Sequence, residues 1–535
     1  MAILLLRRED KMFGATFGIV AQGLEIFRKS ADIRNRNILN ANNPDYAQED
    51  PLVKSFAPVG IRLEDILRTQ NFYYTSVRNQ KLSVVSSLDT TIKGGSQVED
   101  LFQEFTQGLG GSEYINQFFT AYQNLMKEPT NEGARSELIN SAQSLVSYLK
   151  DRKKDMDRIM AGTDYDMRQY INKINTLTRK IAQINQEILV GYAQTYARGK
   201  DYKNLLDERD SYLKELSELI NIRVQEDEIG RVRVETDKGF ALVEDRYNWE
   251  LKYDSANKRI LWKSKDGSEV DISSLISGGR VRGLLDFQSD LSGYMNQLET
   301  LAKRLISDIK LPLNSQATSN WYWFKNVSDP NAPLGFSGSI TFSGFPGGPI
   351  TLSYSGTDSL NDLINAINTD PTLSANFTAS LITNPDGTYT MSITANDPSY
   401  TIEDSNNLIH RSEPLFVGNG ISDMAINPNI NLYIQNLDYE KVDEFMDFSR
   451  GWWEGSKSIY NGLVDNIASR QKDLKTKYDI ESALLSSINA KLQEMQGVSV
   501  DNEFIELMKL QRSYEALARV VNTMDEMLQS TLNMV

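Results

Sequence analysis

The chain of 535 residues has no cysteine and a single histidine. The lack of cysteine excludes disulfides, thiol catalysis and thiolate metal sites. His410 stands in a polar stretch that we predict to be a loop, and a lone loop histidine is more often a surface residue than a catalyst or ligand. We therefore expect no catalytic residue, no metal site and no bound cofactor.

Sequence motifs for nucleotide chemistry are also missing, since neither a phosphate-binding loop nor a dinucleotide fingerprint is present. The glycine-rich stretch at 344–348 lies between predicted strands and is typical of a β-turn. The charged run at 207–210 favours a solvated helix face over a metal or acid–base pair. Trp452 and Trp453 could bind a sugar ring, but packing at a domain junction is favoured. The chain is therefore not expected to be an enzyme.

Long hydrophobic runs and excess positive charge are absent as well. The apolar run Ala2 to Leu6 is far shorter than the roughly 20 residues of a membrane helix, and the charged residues that follow it do not suit a secretory signal. The 57 basic and 72 acidic residues give a net charge of −15, which argues against nucleic-acid binding. We expect no membrane insertion, and any export would leave the N-terminus intact.

Amphipathic helices are predicted at both ends of the chain. The C-terminal helix, with Asp501 as its expected N-cap, and an N-terminal helix from Met12 to Asn42 both carry apolar residues at alternating three- and four-residue spacing. Such a stripe needs a partner helix, in the same chain or in a neighbouring subunit. The stripe residues are Phe13, Phe17, Val20, Leu24, Phe27, Leu507, Leu510, Tyr514, Leu517, Val521, Met524 and Leu528.

Between the two terminal helices, the sequence predicts helical segments on either side of a β-rich insert. Residues 44–58 read as irregular, and 59–149 as mostly helical with loops near 93–96 and 128–131. A second heptad run covers 167–188, and period-2 alternation predicts β-hairpins near 222–275. The stretch from Trp321 to Tyr439, within the predicted insert at 313–439, is rich in serine, threonine, glycine, asparagine and proline, and Asp386-Gly387 marks a hairpin there.

The predicted fold class is α+β multidomain. It combines a terminal α-helical coiled coil, a helical-bundle middle domain with a small β-hairpin part, and an inserted β-rich outer domain. The predicted domains are 12–58 with 497–535, then 59–312 with 440–496, and lastly 313–439.

Both ends also resemble a known family. Residues 37–46 read Asn-Ile-Leu-Asn-Ala-Asn-Asn-Pro-Asp-Tyr. This resembles the Asn-Ile-Ala-Asn-Ala-Asn-Thr-Pro-Gly-Tyr motif of bacterial flagellar rod, hook and hook-associated proteins. The motif positions kept here are Asn37, Asn40, Asn42, Pro44 and Tyr46. The C-terminal segments 497–501, 510–514, 518–521 and 525–528 resemble the matching end of the same axial proteins. Asn43, Asp45 and the extra residues 1–11 depart from the pattern.

Interior segments narrow the resemblance to the hook-associated protein 1 family, the hook–filament junction proteins. Those segments are Phe118-Phe119, Pro129, Ala134-Arg135, Ala142, 181–185, 205–210, Gly239 with Leu242-Val243, Gly278-Gly279 and 283–285. The similarity covers most of the chain from Met12, apart from the β-rich insert.

The resemblance implies a structural subunit outside the cell, exported without a cleaved signal peptide. It implies a homo-oligomeric ring between the hook protein and hook-associated protein 3, and an export chaperone on the C-terminal region. The stripe residues are then expected to form an inter-subunit coiled-coil seam. Two alternatives stay open: another axial protein, such as hook-associated protein 3 or the hook protein, or a carbohydrate-binding or hydrolytic module in the insert near Trp321 and Trp323.

Overall fold

The computed structural model describes residues 2–43, 46–56, 60–102, 110–198 and 202–532. The helices in these ranges are α1 Ala2–Leu39, α2 Phe72–Phe102, α3 Gly111–Lys127, α4 Glu132–Arg198, α5 Lys203–Leu219, α6 Gly279–Asp308, α7 Leu360–Thr369, α8 Pro371–Ser374, α9 Ile430–Gln435, α10 Val442–Gln496 and α11 Val500–Leu532. None of these described helices combines the length and the apolar character that a bilayer crossing requires.

Strands occur in three parts of the described chain. A hairpin after the first helix contains β1 Glu49–Phe56 and β2 Gly60–Arg68. The second set comprises β3 Ile222–Glu226, β4 Val232–Thr236, β5 Ala241–Glu244, β6 Tyr247–Asn248, β7 Leu251–Asp254, β8 Arg259–Lys263 and β9 Glu269–Asp271. The third comprises β10 Lys310–Pro312, β11 Asn320–Trp323, β12 Gly338–Ser343, β13 Ile350–Tyr354, β14 Phe377–Thr383, β15 Tyr389–Ala395, β16 Thr401–Asp404, β17 Ile409–Pro414, β18 Phe416–Val417 and β19 Ala425–Ile426.

The chain divides into two compact units. The terminal unit contains residues 1–90, 166–285 and 476–535, and the central unit contains 91–165 and 286–475. Each unit is therefore assembled from segments that are distant in the sequence.

The core of the terminal unit forms where the second heptad run of α4 meets the strands of 222–271. Met167, Ile174 and Ile181 are buried in one cluster with residues from α5 and from β3 to β8. Asparagines on the same helix bond to strand backbone: the Asn185 amide donates to the Val232 carbonyl at 2.8 Å and accepts from the Val232 N–H at 2.9 Å. Asn175 makes the same pair of bonds to Leu251. The predicted helix and the predicted hairpins are both confirmed, and side-chain amides link them.

The central unit has a large helical core built from α3, the first part of α4, α6 and α10. The expected loop near 93–96 is wrong, because α2 continues without a break to Phe102. A Cβ on Gly94 would lie 2.5 Å from the Phe287 ring, and one on Gly95 would lie 2.1 Å from the Gln471 amide. These glycines therefore allow close helix packing instead of marking a turn.

The inserted strands of the central unit build what we call the β module, residues 310–417. Its sheets have the strand orders β10-β17-β11-β15-β14 and β13-β12-β16, and α7 packs against β14. The predicted hairpin at Asp386-Gly387 joins β14 to β15. Ser359 and Asp362 form a reciprocal capping box at the start of α7. The β-rich insert is thus confirmed.

Several expected boundaries near the termini are wrong. Helix α1 begins at Ala2, before Met12, because the segment 2–11 contains no helix-breaking residue. Residues 49–56 and 60–68 pair as a hairpin where irregular and helical structure was expected, and Pro51 is tolerated since this two-stranded ribbon is all edge. Asp501 lies in the first turn of α11, which begins at Val500. The fold class is confirmed, whereas the three-domain division stays a prediction.

Candidate assembly interface

The two ends of the chain meet as a pair of helices within the terminal unit. Helices α1 and α11 make extensive contact, and they run antiparallel since Arg34 meets Glu503 while Gly23 meets Leu517. A Cβ on Gly23 would lie 2.9 Å from Leu517 Cδ1, so the small residue lets the helices approach closely. The predicted partnership of the terminal helices is therefore present inside one chain.

The predicted seam residues differ in how far this pairing covers them. Val20 and Met524 are buried, and Leu24, Phe27, Leu507, Leu510, Leu517 and Val521 are partly buried. Phe17, Tyr514 and Leu528 are exposed, and the side chain of Phe13 lies outside the described residues. Their contact with a neighbouring subunit stays a prediction.

The sequence analysis missed part of the covered face of α1. Ile26 and Ile33 are buried, and Ser30 and Asn37 lie beside them on the same side of the helix. The seven-residue spacing of Ile26 and Ile33 could have indicated that both face the partner helix. The prediction instead placed the neighbouring residue Phe27 in the stripe. The true stripe is rotated slightly from the predicted one.

Helix α11 carries a second apolar patch away from α1. Phe504, Ile505 and Met508 are each about half exposed in its first turns. On a helix these positions lie together on the side opposite Leu517. The pairing of α1 with α11 therefore leaves an outer apolar patch, which we define as these three residues.

Two residues of the motif at 37–46, Asn37 and Tyr46, fix the position of the chain where it leaves α1. Asn37 is fully buried; its amide donates to the Glu49 carbonyl at 2.9 Å and accepts from the Glu49 N–H at 3.1 Å. The Tyr46 hydroxyl donates to the same Asn37 oxygen at 2.8 Å. Asn40 donates to the Arg36 carbonyl, Asn42 is exposed, and Pro44 lies outside the described residues. Asn37 and Tyr46 thus fix the first residue of the hairpin.

A buried ion pair connects the same region to α11. The Glu503 carboxylate is 1 % exposed and lies 3.2 Å from Arg34 Nη1, and it accepts a hydrogen bond from Gln48 at 2.6 Å. Arg34 also lies 2.6 Å from Asp50. Burial lowers the pKa of Arg34 while Asp50 and Glu503 raise it, with a net rise, so the guanidinium keeps its charge.

A second buried network holds the base of the hairpin on α5. Arg68 at the end of β2 bonds to Asp207, and to Asp210 at 2.8 Å. Burial raises the pKa of Asp207 to about 6 despite Arg68, whereas Arg209 and Arg68 outweigh burial and lower the pKa of Asp210. The expected solvated face at 207–210 is wrong for Arg209 and Asp210, which are buried.

Comparison with known proteins places these elements in a family. Residues 95–314 match the family model described as the flagellar hook-associated protein FlgK helical domain. Residues 491–534 match the flagellar basal body rod FlgEFG protein C-terminal family. The chain is similar to the flagellar hook-associated proteins. The resemblance predicted from the sequence is confirmed, and the chain is a structural component of the flagellum.

Curated relatives match along nearly the whole chain. Flagellar hook-associated protein 1 of Salmonella typhimurium is 22% identical, with 96% of this chain and 98% of the relative covered. The protein of the same name from Escherichia coli is 21% identical with the same coverage, and that from Bacillus subtilis is 20% identical with 96% and 97% covered. The solved flagellar hook junction protein FlgK from Burkholderia pseudomallei is 15% identical, covers 78% of this chain and 99% of its own, and has a TM-score of 0.48.

The C-terminal match covers α11, one helix of the terminal pair. Residues 491–534 contain Glu503, Leu517 and the outer apolar patch. The helical-domain match at 95–314 contains Gly95 and the whole of α3, α4 and α6. The outer apolar patch therefore lies in a segment that is similar to the C-terminal segment of rod proteins.

The histidine that was considered for catalysis packs inside the protein. His410 is buried in β17 instead of lying in a loop, and burial lowers its pKa. Its Nε2 lies 2.9 Å from the Asn407 carbonyl, and Phe324 and Phe445 surround the ring. Within the part of the chain that the structure describes, no group of three or more acidic or histidine side chains is arranged to hold a metal ion.

The tryptophans considered for sugar binding are also covered. Trp453 stacks on Phe119 with ring centroids 6.3 Å apart, and Trp452 packs among aromatic residues of the helical core. Trp323 is buried in the β module, while Arg411 lies over the Trp321 ring at 4.7 Å. These four rings pack against protein groups.

Proposed function

We propose that the chain is a subunit of the junction between hook and filament and forms a homo-oligomeric ring through its terminal helices. The observation that carries this proposal is the outer apolar patch, beside an in-chain pair of terminal helices. Exposed apolar residues that cluster on one helix face mark an interaction surface more often than scattered ones do. The names of the relatives, which refer to the hook, support the location.

The two faces of α11 have different roles in this proposal. The inner face, with Leu517 and Met524, holds the C-terminus against the N-terminus of the same chain. The outer patch and the exposed seam residues Phe17, Tyr514 and Leu528 meet neighbouring copies, so that only part of the predicted inter-subunit seam acts between subunits. Ring contacts of this kind join one patch to a different patch on the next subunit.

The proposal extends to partners and location. Hook protein lies on one side of the ring and hook-associated protein 3 on the other, outside the cell. Before export, which removes no signal peptide, a chaperone covers the C-terminal region including the apolar patch. The chain works as a structural subunit and has no enzymatic activity; the buried His410 and the covered tryptophans support this.

Substitution of Met508 tests the assembly role. Met508→Asp adds a charge to a side chain that is 51% exposed, so the subunit should fold normally while ring formation and motility are lost. Leu432→Asp is the matched control, since Leu432 is 46% exposed on α9 of the central unit. Assembly is measured by electron microscopy of flagella from cells that express each variant. Normal filaments with Met508→Asp would refute the assembly surface.

Immunogold labelling tests the location. Antibody raised against residues 321–440 should label intact flagella in a single band at the boundary of hook and filament. Label along the whole hook or filament would instead support another axial position.

The inner face is tested separately with Leu517→Asp. Because Leu517 lies against Gly23, the charge should separate α1 from α11 and prevent assembly, while the β module remains folded. Hydrogen exchange would show faster exchange in both terminal helices and unchanged protection in β11 to β17. Normal junctions formed by this variant would show that the inner face is not required.

A further inference from the structure

The seam between α1 and α11 does not select a single alignment by its apolar residues alone. Leu510, Leu517 and Met524 are spaced by seven residues, so each can occupy nearly the same place opposite Gly23 after a shift of one heptad. A shift of this size moves α11 by about 10.5 Å along α1 and still leaves apolar residues facing the partner helix. Another interaction has to distinguish the alignments.

The Glu503 carboxylate lies inside the paired region. Glu503 in the first turn of α11 is almost completely buried, although it is a carboxylate. Its partners come from two other segments: Arg34 of α1 at 3.2 Å and Gln48, which precedes β1, at 2.6 Å. Asp50 of β1 lies 2.6 Å from the same Arg34 nitrogen. The carboxylate is therefore satisfied only where α1, α11 and the hairpin meet.

Removing those partners would be costly. A buried carboxylate without a counter-charge or hydrogen-bond donors is strongly unfavourable, whereas an apolar residue of similar size in the same place is often tolerated. A one-heptad shift takes Glu503 away from Arg34 and Gln48 by about 10.5 Å. The shifted alignments are therefore penalised by the charge and not by the apolar contacts.

We infer that Glu503, with Arg34 and Gln48, fixes the register in which the C-terminal helix pairs with the N-terminal helix. Glu503 is thus a positioning residue for the assembly surface. Its part in assembly rests on the proposed function, because the register decides how the outer apolar patch is placed relative to Phe17 at the other end of the pair. The register itself belongs to the single chain and can be measured without assembly.

The absence of cysteine allows a direct measurement of register. Gly23→Cys combined with Leu517→Cys reports the observed alignment, since a Cβ at residue 23 would lie next to Leu517. Gly23→Cys with Leu510→Cys, and Gly23→Cys with Met524→Cys, report shifts of one heptad in either direction. The full-length chain is oxidised at low concentration, and cross-linked monomers are separated from dimers on a denaturing gel.

In the otherwise unchanged chain, we expect the 23–517 cross-link to dominate. Glu503→Leu should raise the ratio of shifted to observed cross-links by about tenfold or more, because the shifted registers no longer bury a lone charge. Glu503→Gln should keep the observed register, since its amide oxygen can still accept hydrogen bonds from Arg34 and Gln48. Glu515→Leu is the matched control: Glu515 is an exposed acid on the same helix, on the side away from Leu517.

Two results would overturn this inference. An unchanged preference for the 23–517 cross-link in Glu503→Leu would show that the apolar residues determine the register. Loss of all three cross-links would show that Glu503 is needed for pairing itself. Both results concern the monomer, so they are distinct from the failure of the assembly proposal, which would appear as normal junctions with Met508→Asp.

Discussion

The β module and the terminal helix pair differ in how completely each covers its own apolar surface. In the β module, Trp323, Phe342 and Phe377 are almost fully buried in one core shared by both sheets and α7. In the terminal pair, Phe504 and Met508 remain about half exposed on a helix whose other side is already occupied. The β module therefore buries its own apolar core, whereas the terminal helix pair leaves apolar side chains exposed.

The β module also covers the backbone groups at the edge of its larger sheet. Strand β14 ends a five-stranded sheet and would present free backbone groups, which invite pairing with another strand. The Asn368 amide of α7 donates to the Ala379 carbonyl at 2.7 Å and accepts from the Ala379 N–H at 2.9 Å. The β module thus blocks association at this edge, whereas the outer patch on α11 is left open.

The largest expected effect tests how self-sufficient the β module is. Phe377 is 1% exposed and packs edge-on against Phe342 and Phe345, so Phe377→Ala should lower the free energy of unfolding by ~3–5 kcal/mol. Leu381→Ala on the same strand is the control, because Leu381 is 36% exposed and should change little. Denaturant titration followed by tryptophan fluorescence measures both. Similar losses for the two variants would contradict the assignment of β14 to a one-sided core.

A smaller effect is expected at the blocked strand edge. Asn368→Ala leaves the Ala379 N–H and carbonyl without these partners, which should cost ~1–3 kcal/mol and expose the edge of β14. Sedimentation should then detect self-association through the β module, and adding Leu381→Lys to this variant should reverse it. If the Asn368→Ala variant stays monomeric, Asn368 is not what prevents association at the edge of β14.

The smallest effect concerns a buried charge in the β module. Burial lowers the pKa of Lys310 to about 8, against 10.5 for an ordinary lysine. Between these values the unfolded chain binds more protons, so the free energy of unfolding should rise with pH, by less than ~1.4 kcal/mol per pH unit. Stability curves from pH 8 to about 9.5 should therefore be steeper for the natural chain than for Lys310→Met. Parallel curves would mean that Lys310 does not titrate in this range.

Local patterns predicted most elements but not their packing. The heptads of α4 and α11 and the turn at Asp386-Gly387 carry their signal within a few residues, and all were located correctly. The glycines at 94 and 95 gave the opposite signal, because the rings and amides that require them come from α6 and α10. Close helix contacts depend on residues hundreds of positions away, which a local pattern does not contain.

The candidate interface was predictable only in outline. Periodicity identified Leu517 and Met524 and the pairing of the two ends, but it could not distinguish Ile26 from Phe27 on adjacent positions of α1. Glu503 gave no sequence signal at all, since its burial depends on Arg34 and Gln48 from the other end of the chain. The roles of buried charges followed from tertiary contacts alone.

Asparagine side chains link helices or their ends to strands at several places in this chain. Asn37, Asn175, Asn185 and Asn368 each donate to the carbonyl and accept from the N–H of one strand residue. Aspartate cannot replace them, because a carboxylate oxygen would then face the strand carbonyl. Spontaneous loss of ammonia from any of these amides would convert a two-way bond into a repulsion. Slow deamidation thus limits the lifetime of these hydrogen-bonded contacts between helix and strand.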